Sequence, residues 1–368
     1  MSNYIIDIAT EDDNAELCSL CQIPSCGNII FTMERSPDFF AASKVQSEQT
    51  EIYVCRNKSD NKIEGVLSVG KRRVFYKNEI KQIRYFSDMR ILPQSQGSRL
   101  LYNVVRFITD NILQPSEIAQ AIVFAENTIM LQLIQKLQYR SKKMSIFNFY
   151  PAGNYTSYMV KFSAGVKKAN SKYHIKKATP GDVTQIQAFI INEGPKKNFF
   201  PYYDLKEIGR DYYQGLAIED FYLAFENKKL IGIAGVWDQQ ALRQTKIIGY
   251  SLLYKILRPA INLIGFLSNG FTLPPKNTLL KYVTVHSILI DGNNSHVFEN
   301  ILTEINNDNY RSGFDYFLVG LDAKDNLNKS LSIFKNKRKI KGNHFLISKT
   351  QPEQEILDAS FYLEAARI

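Results

Sequence analysis

The sequence predicts a mixed α/β fold that occurs twice in tandem, each unit a mixed, mostly antiparallel sheet with helices on both faces. Three observations carry this. Ile83–Leu92 lies without a gap on Leu280–Leu289, with Tyr85 on Tyr282 at an offset of 197 residues, and in each copy a loop and an apolar helix follow. Earlier anchors agree at smaller offsets: Ala9-Thr10 answers Ala178-Thr179 (169) and Gly65 answers Gly232 (167). The second copy therefore carries about 30 extra residues before its long strand, and a repeat this long means two domains rather than a solenoid. Finally, helices alternate with strands, but the early strands are joined by turns too short for parallel crossovers.

The first copy, 1–163, opens with a strand at Tyr4–Ile8. Thr10 is placed to cap a helix whose first turn is acidic (Asp12, Asp13). Residues 24–47 read as irregular. Glu51–Cys55 and Lys62–Lys71 form a hairpin closed by the polar turn Asn57–Asn61. A strand at Arg73–Tyr76 leads into the long strand Gln82–Leu92. A helix from Ser98 shows Leu101, Val104, Val105 and Ile108 at helical spacing. The strand Ile118–Ala125, a helix over Thr128–Leu137 and two strands at Ser145–Tyr150 and Tyr155–Phe162 close the copy.

Residues 164–172 lack apolar periodicity and read as a linker. The order then restarts over 173–350: strand Tyr173–Lys177, helix from Asp182, hairpin across Tyr222–Trp237, strand Leu279–Ile290, helix from Ser295, strand Tyr316–Leu321, helix near Leu327, strand Phe345–Ser348. The insertion falls at about 240–278, with apolar residues broken by Pro259, and suits a lid, a docking surface or a dimer contact. Residues 351–368 form a tail.

Composition bounds the function. At 368 residues and 45% hydrophobic content there is material for two cores. The net charge of +10 suits an anionic partner such as a CoA ester, but the basic residues are scattered. No helix-turn-helix, zinc or RNA-recognition pattern points to a specific nucleic-acid partner. There is no secretory signal and no uncharged apolar run of transmembrane length, so a cytoplasmic protein is expected. Four cysteines do not make a disulfide framework, and Cys18, Cys21 and Cys26 have no second CxxC or paired His, so no metal site is expected.

Chemistry concentrates after the long strand of the first copy. Ile91-Leu92-Pro93 ends that strand, Gln94-Ser95-Gln96-Gly97-Ser98-Arg99 forms the loop, and Leu100-Leu101 begins the helix. A helix N-terminus offers unpaired N–H groups to a diphosphate, and glycine permits close approach. Further on, Asn127 precedes Met130, Leu133 and Lys136-Leu137-Gln138-Tyr139. In order and separation these two segments resemble the GNAT superfamily of CoA-dependent N-acyltransferases, over most of residues 4–163. The resemblance implies a site for acetyl-CoA or another acyl-CoA at Ile91, Leu92, Gln94, Ser95, Gln96, Gly97, Ser98, Arg99 and Asn127. It also implies acyl transfer, acetyl in the first instance, to a primary amine of a small molecule or peptide.

Departures qualify the mechanism. The family's acidic tyrosine falls on Ile134, and Gln138 replaces its glycine. Asp88 on the long strand is the best-placed candidate base, with Arg90 expected on the same face as a salt-bridge partner, and Glu34 is a weaker candidate. In the second copy the loop becomes Asp291-Gly292-Asn293-Asn294-Ser295, and a carboxylate repels a diphosphate. CoA is therefore expected in the first domain, beside a degenerate second one. A catalytically inactive tandem scaffold is the alternative, and oligomerisation stays open.

Overall fold

The computed structural model describes residues 3–96, 99–144, 146–167, 172–268 and 270–368. The first copy supplies β1 (Tyr4–Ile8), β2 (Ile29–Glu34), β3 (Gln49–Asn57), β4 (Ile63–Tyr76), β5 (Glu79–Ile91), β6 (Ala119–Phe124) and β7 (Asn148–Lys161). Its helices are α1 (Asn14–Leu20), α2 (Phe39–Lys44), α3 (Leu100–Phe107) and α4 (Thr128–Met144). The second copy supplies β8 (His174–Lys177), β9 (Phe221–Glu226), β10 (Lys229–Trp237), β11 (Gln244–Tyr250), β12 (Thr278–Leu279), β13 (Tyr282–Ile290), β14 (Tyr316–Asp322) and β15 (Lys337–Ser348). Its helices are α5 (Val183–Glu193), α6 (Leu252–Leu267), α7 (Ser295–Asn309) and α8 (Gln354–Asp358).

Among the described residues, twelve strands form one sheet in the order β1-β3-β4-β5-β6-β15-β7-β14-β13-β10-β9-β8. The β5–β6 and β13–β14 pairs are parallel and the rest antiparallel. The copies exchange their last strands. β15 lies between β6 and β7, and β7 lies between β15 and β14. Each copy's final strand thus completes the sheet of the other.

Local departures from the sequence reading have identifiable causes. Ser145–Tyr150 and Tyr155–Phe162 are not two strands: from Asn148 the backbone runs on as β7. A bulge between its pairings with His344 and Phe345 absorbs the Pro151–Gly153 stretch, with Gly153 at φ 151°. Arg73–Tyr76 is the end of β4 and turns into β5 through Lys77-Asn78, both at positive φ, a two-residue hairpin turn. The irregular 24–47 stretch contains β2 and α2, the latter capped by Asp38, which accepts from Phe40 and Ala41 N–H. The helix near Leu327 is 3-10, over Asn326–Ile333.

The insertion is not a free loop. β11 pairs with β12 on one side and with β2 of the first copy on the other, making a separate three-stranded sheet. Ile247, Tyr250 and Leu273 form its small core, packed on Ile29 and Phe31.

The main cores flank the large sheet. α7 buries Val297, Phe298, Ile301, Leu302 and Ile305, one face of a helix. α3 buries Leu100, Val104 and Val105. Each large side chain removed from water in this way contributes about 1.5–3 kcal/mol.

Candidate functional site

The site grows from one irregularity that occurs twice. On β5, Arg90 faces Val66 and Ser87 faces Ser68, so Asp88 and Met89 together oppose the single residue Leu67. On β13, Leu289 faces Ile233 and His286 faces Gly235, so Ser287 and Ile288 oppose Ala234. The first bulged residue has φ 51° in both copies, at Asp88 and at Ser287. These positions correspond at an offset of 199, which corrects the offset of 197 read from the sequence. A two-residue slip keeps every side chain on its face, so alternation cannot reveal it. Gly235 is required opposite His286, next to the second bulge, because a Cβ there would stand 2.1 Å from the His286 ring.

Beyond the bulge each central strand parts from its parallel neighbour. β5 meets β6 only at Arg84↔Ala119 and Tyr85↔Gln120. β13 meets β14 as far as Val285↔Val319. The resulting slots differ in content. In the second copy His286, Ser287, Ile288, Leu289 and Ile290 are at most 3% exposed, whereas Ser87–Ile91 are all half-buried.

The chain's own tail fills the second slot. Ser287 N–H donates to Glu364 Oε2 at 2.8 Å and Ile288 N–H donates to Tyr362 Oη at 2.9 Å. Tyr203 and Tyr362 hydroxyls also donate to Glu364 Oε2, at 2.7 and 3.0 Å. Arg367 anchors the tail, donating to the carbonyls of Val45 and Tyr212 and stacking 3.3 Å over the Tyr212 ring. The bulge N–H groups of β13 thus point into the slot. The same φ and ladder position recur at Asp88 and Met89 beside the first slot.

The Asp88 carboxylate has a different partner from the one expected. Its Oδ1 accepts from Arg35 Nη2 at 2.8 Å, with the two side chains 5% and 1% exposed. Arg90 instead donates to the Met33 carbonyl. The bulge at Asp88 breaks the alternation on which a direct Asp88–Arg90 pair rested. Gln46, with its amide turned to suit both neighbours, donates to Asp88 Oδ2 at 2.9 Å and accepts from Arg35 at 3.3 Å. Burial by itself would raise the Asp88 pKa. The charges of Arg35, Arg90 and Arg243 outweigh it and hold the carboxyl below its usual range. Glu34 ends β2, opposite Gln244 of the insertion, is half-buried and accepts from Thr32 Oγ1 at 3.0 Å.

The remaining sequence-nominated residues lie at the end of β5, in the turn after it, at the start of α3 and beyond β6. Ile91 ends β5, and Leu92 N–H donates to the Glu64 carbonyl. Gln94 lies in the turn Pro93–Ser95, where Ser95 Oγ donates to Glu64, and Gln96 Nε2 donates back to the Ile91 carbonyl at 3.2 Å. Arg99 is the N-cap of α3 and makes no side-chain cap bond. Gly97 and Ser98 lie outside the described residues. Asn127 is exposed at the end of β6, and its Oδ1 accepts from Met130 N–H, a helix cap. Ile134, at the family's tyrosine position, is 1% exposed in the core.

In the second copy the start of α7 opens on a cleft of about 500 Å³ bounded by Glu226, Asp291, Gly292, Asn294 and His296. Two carboxylates at its wall oppose a diphosphate. Among the described residues, no His, Cys, Asp or Glu cluster has the arrangement of a metal site.

Arg35, Gln46, Tyr362 and Glu364 escaped the sequence reading. Arg35 adjoins Glu34 and could have been weighed with it. The tail residues carry no local signal, since their role depends on where residues 361–368 dock.

Paired bulges, splayed parallel strands and the helix that follows each define the tandem GNAT fold, and comparison with solved structures bears this out. No protein-family model and no curated protein matches the sequence. Saccharomyces cerevisiae N-myristoyltransferase, solved with myristoyl-CoA, superposes with TM-score 0.60 at 9% identity, covering 96% of this chain and 84% of that one. A GCN5-related N-acetyltransferase from Sphaerobacter thermophilus does so with TM-score 0.55 at 9% identity, covering 96% and 98%. At these identities the likeness establishes the fold.

Proposed function

We propose that the chain is an acyl-CoA-dependent N-acyltransferase whose thioester lies in the β5–β6 slot of the first copy. The observation supporting this most directly is the contrast between equivalent bulges. The second is closed by Tyr362 and Glu364, while the first keeps a half-buried strand end beside exposed Ala125–Ile129. In this reading the pantetheine arm lies between the splayed strands, and the Pro93–Arg99 loop with the start of α3 receives the diphosphate. Asp88 and Met89 N–H groups meet the thioester carbonyl oxygen, where negative charge develops during attack. The amine nitrogen bonds to the carbonyl carbon, the C–S bond breaks, and the sulfur leaves as thiolate, protonated by water because Ile134 offers no acid. Asp88, held ionised by its guanidinium neighbours, is a weak proton acceptor. Glu34, which makes no ion pair among the described residues, is the carboxylate we retain for taking the amine proton. The acceptor is a primary amine of a small molecule or peptide, and acetyl-CoA is the first donor to test.

The test is thermal unfolding with CoA, acetyl-CoA and longer acyl-CoAs. A ligand at a hundred times its Kd adds about 2.7 kcal/mol to the folded state and raises Tm. Met89→Pro deletes one N–H that donates to the thioester carbonyl, at a position with no ladder partner, and is expected to lower kcat by about 10²–10³ while CoA still raises Tm. The competing reading, a scaffold without turnover, draws on the loss of the tyrosine at Ile134. It is what remains if no CoA ester shifts Tm.

A further inference from the structure

α6 is built inside out. Leu252, Leu253, Ile256, Leu257, Leu263, Ile264, Phe266 and Leu267 are 41–78% exposed, and all but Phe266 follow the helical repeat along one stripe. The opposite side holds the helix to the protein through Tyr254 and Ile261, which pack on the small Ile247, Tyr250 and Leu273 core, and through polar and small residues. Arg258 Nε and Asn262 Nδ2 donate to the Leu273 carbonyl at 3.1 Å each, and Gly265 packs against the backbone of Phe271. A surface helix normally turns these faces the other way. Seven large apolar side chains along one stripe, with Phe266 exposed beside them, exceed the scattered exposure ordinary for a soluble domain.

The charge around the patch selects what covers it. Between Asp238 and Asp291 the chain has no carboxylate side chain, while Arg243, Lys246, Lys255, Arg258, Lys276 and Lys281 fall inside that interval. Lys255 is exposed on α6 itself, and Lys276 and Lys281 are exposed near Leu279, itself 51% exposed. The whole chain carries +10. A second copy meeting α6 face to face would bring like charges together, whereas an anionic lipid surface offers both an apolar layer and a negative one. Among the described residues, no helix is long and apolar enough to cross a membrane.

We propose that α6 is a docking surface for anionic phospholipid bilayers, lying in the interface with its leucine stripe among the acyl chains and Lys255 at headgroup level. The inference does not depend on the acyl-transfer reading.

The experiment is flotation of the full chain with vesicles of phosphatidylcholine alone, and of phosphatidylcholine with about a third phosphatidylserine. Binding is expected to the anionic vesicles, weakening as salt rises. Ile256→Asp with Leu263→Asp replaces side chains 68% and 60% exposed, so Tm is expected to hold. The partition coefficient should fall about tenfold or more per position, the factor that burying one such side chain is worth. In Phe266→Trp, tryptophan emission should shift to the blue only with anionic vesicles. Flotation unchanged by the double substitution, or no flotation with either vesicle, overturns the proposal. So does a wild-type dimer in sedimentation equilibrium that the double substitution dissociates without any vesicle binding, which would assign the face to a second copy.

Discussion

Asp88 shows how neighbours decide the chemistry of a carboxylate. Its partner Arg35 is 1% exposed, and removing the negative charge leaves that guanidinium buried beside the like charge of Arg243. Asp88→Asn is expected to cost about 3–5 kcal/mol in denaturant unfolding. An unchanged midpoint with lost activity would instead mark Asp88 as a proton carrier. Because its folded pKa lies below the usual 3.8, the pair's contribution is complete above that value and disappears as pH falls through the lower folded value. It is therefore silent between pH 5 and 8, and any activity transition there belongs to another group. Asp88 was legible in the sequence as a carboxylate on the central strand. Its role was not, because Arg35 and Gln46 approach from loops that no periodicity orders.

At the scale of elements, the tail acts as a resident ligand of the second slot. Glu364 is 3% exposed and its Oε2 receives the Ser287 N–H and two tyrosine hydroxyls. Glu364→Ala leaves these buried donors without their shared acceptor, at about 1–3 kcal/mol for each that water cannot reach. A loss of at least about 2 kcal/mol in urea unfolding is expected by that reckoning. A neutral result would mean the tail is loosely held and the second slot accessible. The central strands, the hairpins and the helix after each central strand were legible because alternation and helical spacing are local. The register between copies was not, because a slip of two is invisible to a period of two. Residues 24–47 hid β2 because its partner β11 lies in the insertion of the other copy. The inverted polarity of α6 was equally hidden, since a period of 3.6 identifies an apolar face without saying which way it points.

Across the whole molecule, two buried histidines tie stability to pH. Burial pushes His344 down to about 3, and burial, with the Arg367 charge second, does the same to His286. Both fold neutral and would gain a proton on unfolding below their ordinary 6.5. Stability is thus complete above 6.5 and falls as pH drops towards 3, by up to about 1.4 kcal/mol per pH unit for each histidine. His344→Asn is expected to halve that slope in Tm or urea midpoints between pH 6 and 4, and an unaltered slope would place the acid sensitivity elsewhere. Strand exchange has the larger consequence. The two copies were readable as repeats, yet β7 pairs on one side with β15 and on the other with β14, both supplied by the second copy. A fragment of residues 1–163 would keep β7 with neither partner, and would leave β6 without the ladder it makes to Gly342–Ile347. Unpaired edges of that length associate with whatever strand they meet. Residues 1–163 and 164–368 produced separately are expected to aggregate, whereas the two produced together form a soluble one-to-one complex with a single unfolding transition. Either fragment behaving alone as a monomer with its own cooperative transition would show that the exchanged strands are dispensable and that each copy folds on itself.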